Sequence, residues 1–151
     1  MTKPCSLLVV EDDHAVREAV TRVLQSEDYL VSSAASSRDA MLRFSESRID
    51  IVVLDISLGA EDGWQVFHAL REQRPELPII VTSARADELA HSSATRANAV
   101  LEKPFDISIL LGLLKQFSQQ ANGGPVLHQE NAGRRPRSRL RSVSRKTKDL
   151  T

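Results

Sequence analysis

The chain is short of the residues on which several other architectures depend. It has one cysteine, Cys5, so neither an intrachain disulfide framework nor a multi-cysteine zinc site can form. No apolar run approaches the roughly 20 residues that a membrane-crossing helix needs, which excludes a spanning segment. The opening residues, Met1-Thr2-Lys3-Pro4-Cys5, carry a single basic group and lead into a short apolar run ending at Glu11, so no secretory signal is visible. The reducing cytoplasm is the expected compartment.

Net charge is absent as well: 20 basic residues balance 20 acidic ones. The balance conceals an asymmetry. Residues 134–151 carry eight basic groups (Arg134, Arg135, Arg137, Arg139, Arg141, Arg145, Lys146, Lys148) against the single acid Asp149. Residues 1–133 are left with 12 basic and 19 acidic groups. An acidic body is thus joined to a basic tail, and the two halves call for separate readings.

What is present is an alternation of short β-type runs and helical patterns. Ser6–Val10 reads as a strand buried on both faces. Val16, Val20, Val23 and Leu24 then fall on one face of a helix, with Asp12 or Asp13 as N-cap. Tyr29–Ser33 is more polar and suits an edge strand, and Ser36 or Ser37 starts a helix bearing Ala40, Met41 and Phe44. Ile51–Leu54, ending at Asp55, is the most buried-looking strand. Asp62 caps a helix with Val66, Phe67 and Leu70 inward, Ile79–Thr82 is the fourth strand, and a helix runs from about Ala86 to Ala97. Asn98 stands where a left-handed residue would close that helix. Ala99–Glu102 is the fifth strand, and Asp106 caps a last helix with Ile107, Leu110, Leu114 and Phe117 inward.

Strands alternating with helices in this way predict an α/β fold, a doubly wound parallel sheet covered on both faces. Residues 5–119 form this domain. From 120 the chain passes through a Gly123-Gly124-Pro125 break into a segment with too few apolar residues for a core, which predicts a disordered tail.

Polar residues gather where the strands end: Glu11 and Asp12 after the first, Asp55 after the third, Thr82 at the fourth, Lys103 after the fifth. Ligands of open α/β sheets bind at the carboxyl ends of the strands. Three carboxylates brought together there repel one another unless a cation neutralises them. All-oxygen ligation suits Mg²⁺, and a carboxylate beside it can attack a phosphoryl group to give an acyl-phosphate. Lys103 would pair with a phosphoryl oxygen and Thr82 would donate a hydrogen bond to another.

Val9-Val10-Glu11-Asp12-Asp13, Leu54-Asp55, Asp62-Gly63, Val81-Thr82-Ser83-Ala84 and Glu102-Lys103-Pro104-Phe105 together resemble the receiver domain of two-component response regulators, over roughly residues 5–118. The resemblance implies a flavodoxin-like sheet of order 2-1-3-4-5. It implies that Asp55 accepts a phosphoryl group from a histidine kinase or a phosphotransfer histidine. Asp12 then binds Mg²⁺ directly, Glu11 acts through water, and Ser57 offers its backbone carbonyl. Thr82 matches the switch hydroxyl and Lys103 the lysine that senses the phosphoryl group. Output would pass to a protein partner or a second copy through the face of the fourth helix, fifth strand and fifth helix.

The chain departs from the family pattern in three places. Val100 stands where an aromatic residue is usual, the segment from Asn98 to Lys103 looks short, and Gly59 replaces a common proline, which loosens the loop. Phosphoryl acceptance by a single-domain receiver is the leading reading. A receiver that no longer switches and a regulator that uses residues 134–151 to reach nucleic acid are the alternatives, though the tail has no aromatics to stack on bases. An aspartyl-phosphate hydrolase is disfavoured because Asp55-Ile56-Ser57 lacks the second acid that such enzymes need. His14 is read as a rim residue, Trp64 as packed or surface-lying, Cys5 as an unreactive, partly buried thiol and Arg85 as surface.

Overall fold

A computed structural model describes residues 3–85, 87 and 96–121. Five parallel strands form the sheet: β1 (Ser6–Val10), β2 (Leu30–Ala34), β3 (Ile51–Asp55), β6 (Ile79–Ser83) and β7 (Ala99–Glu102), in the order β2-β1-β3-β6-β7. That is the doubly wound arrangement expected. Two further strands, β4 (Ser57–Leu58) and β5 (Glu61–Asp62), make a small antiparallel hairpin directly after β3. The described helices are α1 (His14–Ser26), α2 (Ser37–Glu46), α3 (Gly63–Gln73) and α4 (Ile107–Ala121).

Alternation along each strand explains why the runs are apolar throughout. Leu8, Val10, Val52, Leu54, Ile79 and Val81 pack on one face against α2 and α3, together with Phe44, Phe67 and Leu70. Leu7, Val9, Ile51, Val53, Ile80 and Leu101 pack on the other against Leu24 of α1 and Leu110, Leu114 and Phe117 of α4. Successive side chains point to opposite faces, and here both faces are covered. No described helix is long and apolar enough to cross a membrane.

Helix starts follow the side-chain capping rule. Asp13 accepts from the Val16 N–H at 3.1 Å, Ser36 from Asp39 at 3.2 Å and Asp62 from Trp64 at 2.9 Å. Asp106 accepts from the Ser108 N–H at 2.9 Å at the head of α4. Gly63 has a steric reason: a Cβ there would lie 2.4 Å from the Ile56 Cα.

The structure shifts two sequence expectations. The edge strand is Leu30–Ala34 rather than Tyr29–Ser33, because the turn out of α1 passes through Asp28 at φ 66° and delays the extended backbone. The left-handed residue before β7 is Arg96, at φ 64°, and not Asn98. The Asn98 side chain serves as an acceptor instead: its Oδ1 takes the Ile79 N–H at 3.0 Å and the Arg71 guanidinium at 2.9 Å. The helix expected from about Ala86 to Ala97, the output face that includes it, and the tail from 122 onward lie largely or wholly outside the described residues.

Candidate functional site

Because the sheet is parallel, the carboxyl ends of β1, β3, β6 and β7 open on the same edge, and polar groups stand at each of them. Glu11 follows β1, and its backbone is held by the Ala34 carbonyl, which accepts the Glu11 N–H at 3.0 Å. Arg17 of α1 reaches back to donate to the Glu11 carbonyl at 2.9 Å, steadying the turn that carries Glu11 and Asp12. Asp55 is the last residue of β3, and Lys103 follows β7, its N–H bonded to the Ser83 carbonyl at 2.8 Å.

These side chains meet. Lys103 Nζ donates to Asp55 Oδ2 and to Glu11 Oε2, both at 2.7 Å. Glu11, Asp12 and Asp55 each present a carboxylate oxygen within 4.8 Å of the others. Asp55 and Glu11 are buried at 3% and 6% exposure, whereas Asp12 is open to solvent. The pocket is therefore deep on the Asp55 side and approached from Asp12. The second Asp55 oxygen, Oδ1, accepts the Ser57 N–H at 2.8 Å, so the loop after β3 grips the carboxylate it follows.

Charge in the pocket is only partly balanced. Burial pushes the Glu11 carboxyl up to about 7, and the neighbouring Asp55 adds to the rise while Lys103 opposes it. Burial alone would weaken the Lys103 ammonium, but its bonds to Asp55 and Glu11 outweigh this and raise its pKa. One ammonium among three carboxylates leaves an excess of negative charge. The donors are all oxygen, two of them buried and one exposed, a set that fits a hard divalent cation such as Mg²⁺ and offers nothing to a soft one.

Around this centre, Gly59 turns the β4–β5 hairpin at φ +59°, and a Cβ on it would sit 3.3 Å from Asp12 Oδ2. Proline cannot adopt that φ, so glycine here permits a tight turn against Asp12 rather than a looser loop. Thr82 is buried and in register with Asp55 across β3 and β6, and its carbonyl accepts the Ile56 N–H at 3.1 Å. Ser83, one residue further, is fully buried and places its Oγ 3.4 Å from Ser57 Oγ and 3.0 Å from the Arg85 N–H that donates to it. Sequence reasoning passed over Ser83, Arg17 and the hairpin; only the Val81-Thr82-Ser83-Ala84 string carried a signal, a second hydroxyl beside the first. Val100 pairs with Val81 and is half-buried.

The residues read as peripheral stay so. His14 is exposed beside Arg17 and Glu18, and Trp64 packs edge-on against Phe67 with ring centroids 5.4 Å apart. Burial, helped by Asp50, pushes the Cys5 thiol up to about 11. Arg85 is largely exposed and pairs with Asp87 at 3.8 Å.

The chain is similar to known proteins. The family model for the response regulator receiver domain matches residues 7–115. The chain is 37% identical over 114 residues to response regulator MprA of Mycolicibacterium vanbaalenii, covering 74% of this chain and 49% of that protein. It is 31% identical over 148 residues to the transcriptional regulatory protein HprR of Escherichia coli, covering 96% and 65%. The chain thus spans about half to two thirds of the length of these curated relatives. Among solved structures, chemotaxis response regulator CheY4 of Vibrio cholerae superposes with a TM-score of 0.69 at 26% identity, over 76% of this chain and 99% of that one. Response regulator TrrA of Thermotoga maritima, solved with Mg²⁺ and BeF, gives 0.69 at 26% identity over 75% and 98%. With the sheet order, the acidic cluster and the lysine bridge in place, the chain belongs to the receiver family of two-component response regulators.

Proposed function

We propose that the chain is a phosphoryl-accepting signalling module that uses Asp55 as nucleophile and passes its signal on through protein contacts. The observation that carries this is the Lys103 ammonium held at 2.7 Å from Asp55 in a pocket walled by two more acids. A carboxylate oxygen of Asp55 attacks the phosphorus of a phosphohistidine on a kinase or phosphotransfer protein. The O–P bond forms as the P–N bond breaks, and the imidazole leaves with the electron pair.

Glu11, Asp12, Asp55 and the Ser57 carbonyl are the groups that would hold Mg²⁺, which when bound supplies the positive charge that phosphoryl oxygens need. Lys103 can exchange one carboxylate partner for a phosphoryl oxygen without leaving the pocket, which stabilises the transferred charge. The chain turns over no diffusible substrate in this scheme; it catalyses only its own phosphorylation and dephosphorylation.

The switch hydroxyl is assigned to Ser83 in place of Thr82. A phosphoryl group on Asp55 would extend from a carboxylate whose Oδ1 accepts the Ser57 N–H, and Ser83 Oγ stands 3.4 Å from Ser57 Oγ. Thr82 lies in register with Asp55 itself, one step too deep.

The test is intact mass after incubation with Mg²⁺ and a small acyl-phosphate donor. One phosphoryl adduct is expected on the wild-type chain and none on Asp55→Asn. An adduct of equal yield on Asp55→Asn would overturn the assignment.

A further inference from the structure

The β4–β5 hairpin has two residues in each strand and does not join the main sheet. A hairpin that small has little stability of its own, so its position depends on what ties it down. On the inner side it is tied at its roots: Ser57 N–H bonds Asp55 Oδ1 at 2.8 Å, and Gly63 N–H bonds the Ile56 carbonyl at 3.0 Å. Neither bond restrains the tip, where Gly59 lies against Asp12.

The outer strand carries a different tie. Glu61 Oε2 accepts both the backbone N–H of Ser37 at 2.8 Å and the Ser37 hydroxyl at 2.9 Å. Ser37 is the first residue of α2, separated from Glu61 by 24 positions, and it is already preceded by its own N-cap, Ser36. Glu61 therefore reaches across to a neighbouring helix and pulls the tip of the hairpin to the side of the pocket where Asp12 stands. Gly59 lies two residues before it, near enough to Asp12 that an added Cβ would come within 3.3 Å of Oδ2.

We propose that Glu61 is a positioning residue for the metal site: by clasping Ser37 it keeps the hairpin seated on Asp12, and so holds Asp12 and the Ser57 carbonyl in the spacing a divalent cation requires. The inference rests on the reading of Glu11, Asp12, Asp55 and Ser57 as a Mg²⁺ site. Outer partners that orient metal ligands typically matter about 10- to 100-fold in affinity. The clasp also makes the first turn of α2 part of the same unit as the site, so any movement of the hairpin on cation binding is felt at Ser37.

The experiment titrates Mg²⁺ into the full-length wild type, Glu61→Ala and Glu61→Gln, following the backbone amide NMR shifts of Asp12 and Ser57, with melting temperatures measured in chelator. Glu61→Ala is expected to bind Mg²⁺ about tenfold more weakly. Glu61→Gln keeps an oxygen that can accept from Ser37 and is expected to recover most of the affinity. Unchanged Mg²⁺ affinity in Glu61→Ala, with only a lowered melting temperature, would reduce Glu61 to a helix cap and overturn the proposal. Equal weakening in Glu61→Gln and Glu61→Ala would assign the effect to the charge of Glu61 and overturn the clasp. Absence of any response in the wild type would instead overturn the Mg²⁺ reading on which the proposal stands.

Discussion

At the scale of single residues, the proposed Mg²⁺ site predicts a pH dependence through Glu11. Its carboxyl titrates at about 7 instead of in the ordinary range near 4.5, burial being the main cause. Between those values the folded chain holds a proton that the unfolded chain has released, so the metal-free protein loses stability as pH rises through the window. A cation favours the ionised form and displaces that proton. Mg²⁺ affinity should therefore climb about tenfold between roughly pH 6 and pH 8, and the dependence should flatten in Glu11→Gln. Titrations of both proteins at the two pH values check this. The pair Thr82 and Ser83 offers a second residue-scale prediction. Ser83→Ala should abolish the change that phosphorylation produces in the spectrum of residues 96–106, while Thr82→Val should retain it; the reverse result would return the role to Thr82.

At the scale of elements, the approach to β7 is organised by one guanidinium. Arg71 of α3 donates to the carbonyls of Pro75 at 3.0 Å, Leu77 at 2.5 Å and Arg96 at 3.2 Å, and to Asn98 Oδ1 at 2.9 Å. It also lies over the Phe67 ring, 5.3 Å from the centroid. The guanidinium thereby fastens α3 to the start of β6 and to the turn before β7. Arg71→Met would leave several of these acceptors without a partner, and it should cost about 2–3 kcal/mol in chemical denaturation. The Arg71 hydrogen bonds go to Pro75, Leu77, Arg96 and Asn98 and not to the pocket acids, so that variant should still form the Asp55 adduct at low temperature.

The elements also show what a sequence can and cannot disclose. Ile51–Asp55 was legible because a strand covered on both faces must be apolar at every position. Glu11, Asp12, Asp55 and Lys103 were legible because each breaks such a run at its carboxyl end. Choosing between Thr82 and Ser83 is not possible by the same means, since adjacent strand residues point to opposite faces; the Ser83 proposal rests on the register with Asp55. Arg96 took the left-handed position because the Asn98 side chain was needed as an acceptor for Ile79 and Arg71, a tertiary demand with no local signature. The Glu61–Ser37 clasp is likewise a contact between residues 24 apart.

For the whole molecule, the charge asymmetry sets a separate experiment. The described body carries the site, while eight basic groups lie within residues 134–151. If these groups neutralise phosphates, duplex DNA binding by the full chain should weaken with salt with a log–log slope as steep as about −7. A chain ending at residue 121 should lose that binding and keep the Asp55 phosphoryl adduct. Equal, weak binding by both chains would dismiss nucleic acid as a partner of the tail.

The bridge from Lys103 to Glu11 joins residues 92 positions apart, and the one to Asp55 spans 48. No fragment that stops short of β7 contains all the members. A chain cut before residue 103 holds the three acids without the ammonium that bridges two of them. Under the proposed function, phosphoryl acceptance therefore requires the chain at least through Lys103.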